Sequence, residues 1–520
     1  MYKYLLSLLL FLLIAPKSFS QQGQWTWMNG DTIPNSSGDI YSMNPYPPGL
    51  YEAAEWTDKD GNFWLYGGVG GGASTYYLLC KFQPSLNKWT FVGSYGTGIN
   101  PNYGVQGVPS PFNEPGSRSW GVATWVDTSG NLWLFGGMNS SNSYYNDLWK
   151  YNITSGEWTW MKGAVPGHYG TMGFEDPLNN PPPRGETNAA WIDNDNNLWL
   201  FGGYDGYGSY NDLWKFNIAT NNWTWMTGPN VRNIAGVYGT KGIPSPTNVP
   251  GARMCYSKWK DLDGNLWLFG GYFFYNSSCF NDLWKYTIAT NEWTWMSGSN
   301  QPNDPGNYGG TCISSIDNIP PSRLENRACW NSGCNNFEMW GGMYYINAQN
   351  RYSDLWNYNA NTNEWLLMTG WTSYDEPADY GIKGVSNSSN NPSAKGGSVG
   401  WRDNSGNLWL FGGMGTSGAC FSDLWKFVPD STCPGFPGSP IVSFTSPSDG
   451  CTQSPINLTN TSSYCSSYHW IFGDGHTSDS TNPGNIYLDT GLYTIKLIGV
   501  SSCTGVPDTS VSEIIIITIR

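Results

Sequence analysis

The chain of 520 residues is long enough for two or three domains, carries only 12% charged residues and is rich in Gly, Trp and Tyr, a composition of turn-rich all-β proteins rather than of helical enzymes. Its formal net charge of −14 provides no electrostatic footprint for nucleic acid or for an anionic lipid surface. Pro and Gly recur so regularly that no long uninterrupted helix is expected beyond the N-terminus.

At the N-terminus, Lys3, the apolar run from Leu5 to Ile14 and the triplet Ser18-Phe19-Ser20 predict a signal peptide over residues 1–20, with Gln21 opening the mature chain. The apolar run is short for a membrane span, and no other transmembrane segment is predicted. The mature chain is therefore expected to be secreted, extracellular or at the cell surface. Eleven cysteines lie beyond this segment, and export permits disulfides. Bridges are expected between Cys329 and Cys334 and between Cys451 and Cys503; no paired Cys-x-x-Cys zinc spacing occurs.

Residues 21–428 are dominated by an internal repeat. Gly-Gly pairs follow an apolar strand at Gly67, Gly136, Gly202, Gly270, Gly341 and Gly412, in steps of 69, 66, 68, 71 and 71 residues, and a Trp lies 11 residues before each (Trp56, Trp125, Trp191, Trp259, Trp330, Trp401). An Asp-Leu-Trp motif follows in five units (Asp147, Asp212, Asp282, Asp354, Asp423), then a tight turn and a strand such as Trp158–Met161. Four short strands per unit predict six propeller blades. The last unit lacks its WTWM strand, and a lone WTWM stands at Trp25–Met28. The N-terminal strand is therefore expected to complete blade 6 and close the ring, which removes the sheet edges.

On these motifs residues 25–428 resemble the kelch family, the galactose oxidase-like six-bladed β-propellers. Residues 429–440 read as a Pro/Gly linker. Within residues 441–520, Trp470-Ile471-Phe472-Gly473-Asp474-Gly475 with Tyr487 and Tyr493 resembles the PKD domain, an Ig-like β-sandwich of secreted bacterial proteins. The resemblance implies an all-β chain, and it leaves function open, because one fold serves many roles.

The long connections between one blade's fourth strand and the next blade's first fall on the same end of the ring as the second-to-third loops, and that decorated face is expected to bind. Twenty-seven tryptophans have repeat-defined places and Trp470 belongs to the C-terminal domain; Trp120 and Trp371 stand outside the register and are candidate ligand contacts. Five loops carry a Tyr 15 residues before a cation: Tyr103 before Arg118, Tyr169 before Arg184, Tyr238 before Arg253, Tyr308 before Arg323 and Tyr380 before Lys395. In ligand-binding kelch proteins, cations at the matching place line the axial mouth and take carboxylates. The competing reading pairs each cation with the Asp of the Asp-Leu-Trp motif, since blade 1 lacks both, having Leu50 and Leu78. The Asp-rich hairpins, such as Asp58 to Asn62, resemble calcium loops but lack the bidentate Glu.

No cofactor or metal is expected. The copper of galactose oxidase needs two histidines, whereas His469 and His476 lie in the C-terminal region and only His168 lies in the propeller. The expected function is binding or adhesion, with a glycan, acidic polymer or protein as ligand. The alternative is a metal-free sugar-modifying enzyme such as a mutarotase, with Glu186 and Glu325 as acid/base candidates, although solvent exposure is expected for both. Convergent, shielded carboxylates on the axis would favour the enzyme; an open face would favour binding.

Overall fold

The computed structural model describes residues 23–429 and 442–517, apart from residues 94, 188–189, 347, 463–464, 466 and 501–506. The expected signal peptide and most of the linker lie outside the described residues. No helix among the described residues is long and apolar enough to cross a membrane.

Six antiparallel sheets form the blades of a β-propeller. Blade 2 is typical: Ala123–Val126 lies innermost, followed by Leu132–Phe135, Leu148–Asn152 and, outermost, Glu157–Lys162. Blade 3 gains a fifth strand, Glu175–Asp176, from its long loop. In blade 6, Gly23–Asn29 pairs antiparallel with Leu424–Pro429. The first described strand thus completes the last blade, and the ring is closed as the lone WTWM predicts.

The core is a set of six layers, each lying between neighbouring blades. One layer joins Ala54, Trp56 and Trp64 of blade 1 to Leu132, Leu134 and Trp149 of blade 2, and the other five interfaces repeat this arrangement. That is why the strands are apolar on both faces. The innermost Trp of the repeat reaches across the interface. Trp56 donates its indole N–H to the Trp133 carbonyl at 2.9 Å, Trp125 to Trp199 at 3.1 Å, and Trp330 to Trp401 at 2.9 Å.

The Gly-Gly pair is a requirement of the interface. In every blade both glycines have positive φ, which L residues adopt only with strain. The second glycine's N–H donates to the next blade: Gly68 to the Arg118 carbonyl at 3.1 Å, Gly137 to Arg184 at 2.9 Å, and finally Gly413 to Leu50 at 2.8 Å. A Cβ on Gly67 would stand 2.4 Å from the Arg118 carbonyl oxygen.

The Asp-rich hairpins are fold elements. Asp127 accepts the Ser129 and Asn131 backbone N–H groups with one oxygen, each at 2.9 Å, and the Trp133 indole N–H with the other, at 2.8 Å. Lys150, paired opposite Trp133 on the third strand, lies over its ring. Blade 5 departs from this pattern as a set. Its turn has no Asp, Glu338 stands at the Trp position, Asn357 faces it, and Trp340 occupies the place of Phe135.

The C-terminal domain is an Ig-like sandwich around Trp470, Phe472, Tyr487, Ile495 and Leu497. Its five-stranded sheet includes Ser467–Ile471, Gly491–Val500 and Pro507–Ile517. Gly473 (φ 84°) packs against the Thr494 backbone, where a Cβ would meet the carbonyl oxygen at 2.8 Å. Asn485, which stands where the PKD family commonly has His, donates to Asp474 at 2.7 Å and so holds the turn. Both expected disulfides are corrected. Cys329 is a free thiol facing the Lys258 carbonyl at 3.3 Å, and Cys451 is also free; Cys503 lies outside the described residues. Cys334 is disulfide-bonded, as is Cys312, so it is not available to Cys329.

Glu338 is fully buried and accepts from Asn357 at 2.9 Å. Burial pushes its carboxyl up to about 7 from a usual 4.5. The native state therefore holds its proton where the unfolded chain has lost it, and stability falls as pH rises through that window. Glu338→Gln should raise the melting temperature above about pH 7 and leave it unchanged below about pH 4.5. An equal effect at both pH values would refute this origin.

Candidate functional site

The five cations assigned by sequence to the axial mouth are sealed inside the blades. Arg118, Arg184, Arg253, Arg323 and Lys395 are all 0% exposed. Arg184 holds both oxygens of Asp212, at 2.6 and 2.9 Å, and donates to the Gly202 carbonyl at 2.9 Å. Arg118 pairs with Asp147, Arg253 with Asp282, Arg323 with Asp354 and Lys395 with Asp423, at 2.6–2.8 Å. An aromatic ring covers each cation; Tyr210 lies 4.3 Å from the Arg184 guanidinium.

The same aspartates collect the other repeat signals. The Tyr of each Tyr-Gly loop donates to them, Tyr169 to Asp212 at 2.7 Å and Tyr238 to Asp282 at 2.8 Å. The Trp two residues on does so as well, Trp214 to Asp212 at 2.8 Å. The constant Tyr-to-cation spacing therefore reports one saturated carboxylate node. Blade 1 replaces the node with an apolar set, Leu50, Leu78 and Cys80. These five cations are consequently unavailable to a ligand, and the paired reading is the one the geometry supports.

Breaking one partner strands a buried charge, which typically costs about 3–5 kcal/mol. Arg184→Leu should therefore lower the melting temperature strongly. Arg184→Leu with Asp212→Leu, which copies blade 1, should recover most of the loss. A double variant no better than the single would show that the node is not the source of the stability.

Two positions beyond each cation, the chain forms a ring on the propeller axis. Its members are Glu52, Trp120, Glu186, Cys255, Glu325 and Gly397, in blade order, and all six have φ between 54° and 64°. Backbone bonds link adjacent blades through this ring: Glu186 N–H to Trp120 C=O at 2.6 Å, Cys255 to Glu186 at 3.3 Å, Gly397 to Glu325 at 2.8 Å, and Glu52 to Gly397 at 2.8 Å. Glutamates occupy alternate blades and are buried, at 1% exposure for Glu52, 4% for Glu186 and 6% for Glu325. The expectation that Glu186 and Glu325 face solvent is thereby corrected, because the ring turns them inward.

The side chains converge. One ligand atom from each of Glu186, Cys255 and Glu325 lies within 4.8 Å of the others, and the Cys255 thiol donates to Glu186 at 3.2 Å. Glu52 contacts the Glu325 carboxyl. Burial, reinforced by the neighbouring Glu325 charge, pushes Glu186 up to about 8, and burial with both neighbours raises Glu52 well above the carboxylate range. Burial raises the Cys255 thiol as well.

Arg327 supplies the nearest positive charge. It lies 3.6 Å from Glu55; burial opposes its charge, but Glu55, then Glu52, Glu186 and Glu325, hold it. Lys258 is next, lowered by burial against the pull of Glu55. It lines a cavity of about 240 Å³ formed by the innermost strands of blades 3, 4 and 5.

Of the two candidate tryptophans, Trp120 belongs to the axial ring, is 36% exposed and meets Tyr51 edge-on at 6.2 Å. Trp371 is 47% exposed in the long loop after blade 5 and stands apart from the ring. Sequence reasoning missed Glu52, Cys255 and Arg327. For Glu52 and Cys255 the available signal was the fixed offset of two residues from Leu50 or from the cation; Arg327, four residues after Arg323, lies off that offset.

Comparison with known proteins agrees with this architecture. The KLHDC2/KLHL20/DRC7 Kelch-repeats domain matches residues 105–235 and 179–318, and the PKD domain matches residues 438–516. The chain thus carries a kelch-repeat domain and a PKD domain. It is 29% identical over 185 residues to Multiple epidermal growth factor-like domains protein 8 of Homo sapiens, covering 35% of this chain and 6% of that protein. It is 26% identical over 214 residues to Kelch domain-containing protein 10 of Homo sapiens, covering 38% and 39% of the two chains. Leucine-zipper-like transcriptional regulator 1 homolog of Drosophila melanogaster is 29% identical over 103 residues, 19% of this chain and 9% of that one. The chain therefore spans well under half of each of these relatives.

Proposed function

We propose that this chain is a binding protein outside the cell, exported by its N-terminal signal and held in place or spaced by its PKD domain. Both of its modules are typical of protein-binding or adhesion proteins. The ligand surface is the loop-rich face of the propeller. The observation that carries this reading is the set of exposed aromatic side chains on those loops: Trp120 at 36%, Trp371 at 47%, Tyr207 at 81% and Tyr275 at 75% exposure. Exposed rings on rigid scaffold loops offer apolar faces with polar edges, which suits the C–H face of a sugar ring.

The acidic-polymer ligand loses its support, because the cations that motivated it are neutralised inside the blades. The mutarotase reading gains convergent carboxylates but loses reach. Side chains at 1–6% exposure leave a hexose no surface to approach. A glycan is therefore the preferred ligand, bound without a cationic patch.

The test is a glycan array probed with the mature chain, followed by titration of the best hit. Trp120→Ala and Trp371→Ala should each weaken binding by about tenfold or more, as loss of a ring contact of ~1.5 kcal/mol would do. Affinity should change little as salt rises. Unchanged binding in both variants, or a steep salt dependence, would overturn the proposal.

A further inference from the structure

We propose that Glu186, Cys255 and Glu325, completed by Glu52, form a site for one divalent metal ion on the propeller axis, and that their chemistry selects Zn²⁺. This site is independent of the glycan reading and stands on the ring geometry.

The size of the cluster is that of a coordination sphere. Zinc binds thiolate at ~2.3 Å and carboxylate oxygen at ~2.0–2.2 Å. One atom from each of Glu186, Cys255 and Glu325 lies within 4.8 Å of the others, so small side-chain shifts would close the three around one ion. The 3.2 Å separation of the Cys255 sulfur from a Glu186 oxygen is a short edge of such a polyhedron.

The second observation is the unmet polar capacity at this place. One carboxyl oxygen of Glu52 and one of Glu325 have no hydrogen-bond partner, although the residues are 1% and 6% exposed. Leaving a buried polar atom unpaired costs about 1–3 kcal/mol, and more where the group is charged. Glu52 and Glu325 also contact each other, two acceptor groups that only a proton or a cation can bridge. A metal ion would satisfy both.

The ligands are held before any ion arrives. They come from blades 1, 3, 4 and 5 at one register position, with left-handed backbone at each, and inter-blade hydrogen bonds fix Glu52, Glu186, Cys255 and Glu325. Three carboxylates and a thiolate carry four negative charges, two more than the ion balances. Arg327, fully buried and with its Nε and Nη1 unpartnered, lies beside them and offsets one more. A thiolate among carboxylates disfavours Mg²⁺ and Ca²⁺, and the set holds no imidazole of the kind copper sites use.

The experiment uses the full mature chain, stripped with a chelator and titrated with Zn²⁺ by calorimetry and with Co²⁺ by absorption. The expected result is one equivalent of Zn²⁺, and a Co²⁺ complex with a thiolate-to-metal charge-transfer band in the near ultraviolet. Cys255→Ser should abolish that band, and Glu325→Gln should weaken Zn²⁺ binding at least tenfold. His469→Ala, in the exposed His469–Asp479 pair of the C-terminal domain, should change neither. No stoichiometric binding, a Co²⁺ complex of the unaltered chain without the thiolate band, or binding lost in His469→Ala would each overturn the proposal. The unaltered chain's spectrum decides the matter even if the ring variants fail to fold.

Discussion

The buried aspartate of the third strand is the interaction on which the propeller depends. Asp147, Asp212, Asp282, Asp354 and Asp423 sit at 0% exposure, where an unpaired carboxylate would be prohibitive. Each is saturated by a cation from the start of the innermost strand, a tyrosine from the long loop, and the indole two residues on. One node thus ties three distant stretches of a blade together. The cation's backbone carbonyl accepts from the preceding blade's second glycine, so the residue that organises one blade also sets its distance from the next. Blade 1 shows that the node is replaced whole: Leu50, Leu78 and Cys80 change together.

A cation held in this way also dictates the path of the backbone beyond it. Two residues on, the chain must turn into the first strand, and it does so with left-handed backbone in every blade. For non-glycine residues that conformation costs on the order of 1–3 kcal/mol each and persists only where the surroundings over-determine it. Here the inter-blade hydrogen bonds supply that constraint. The ring is therefore a by-product of the structural nodes, and its side chains point to the axis whatever their type.

This separation decides what the sequence made legible. The repeat period, the Gly-Gly pairs, the Trp 11 residues before them and the lone WTWM strand are imposed on every blade by the same packing, so they identify six blades and the closing strand. Invariance across blades, however, marks structure. The cations recur because each blade needs its node, and their regularity made them look like a ligand-lining ring. The axial ring is hidden for the opposite reason: Glu, Trp, Glu, Cys, Glu and Gly share a register but no residue type. Glu186 and Glu325 were visible but read as solvated, as most glutamates are. Glu52 was invisible because blade 1 lacks the cation that marks the position. Glu338 and Trp340 were similarly masked, since blade 5 exchanges its whole Trp–Lys–Asp set.

The axis also shows how a pseudo-symmetric fold concentrates unlike chemistry. Carboxylates at blades 1, 3 and 5 are spread as far apart as a six-membered ring allows, with Trp120, Cys255 and Gly397 between them. The innermost strands pack side by side around the circle, so the ring cannot widen to relieve repulsion, and close-packed interiors yield little. Relief comes from protons, since burial raises Glu186 to about 8 and Glu52 well above the usual carboxylate range, and from opposite charge. Arg327 faces the glutamates and Glu55, and Glu55 in turn faces Lys258. Alternating sign along a poorly solvated column lets each group lower the cost of the next. Replacing any one of them would be felt at its neighbours rather than absorbed by solvent. The five node cations, each closed within its own blade, take no part in this column, and that is why the fold can vary its axial residues without unpicking its blades.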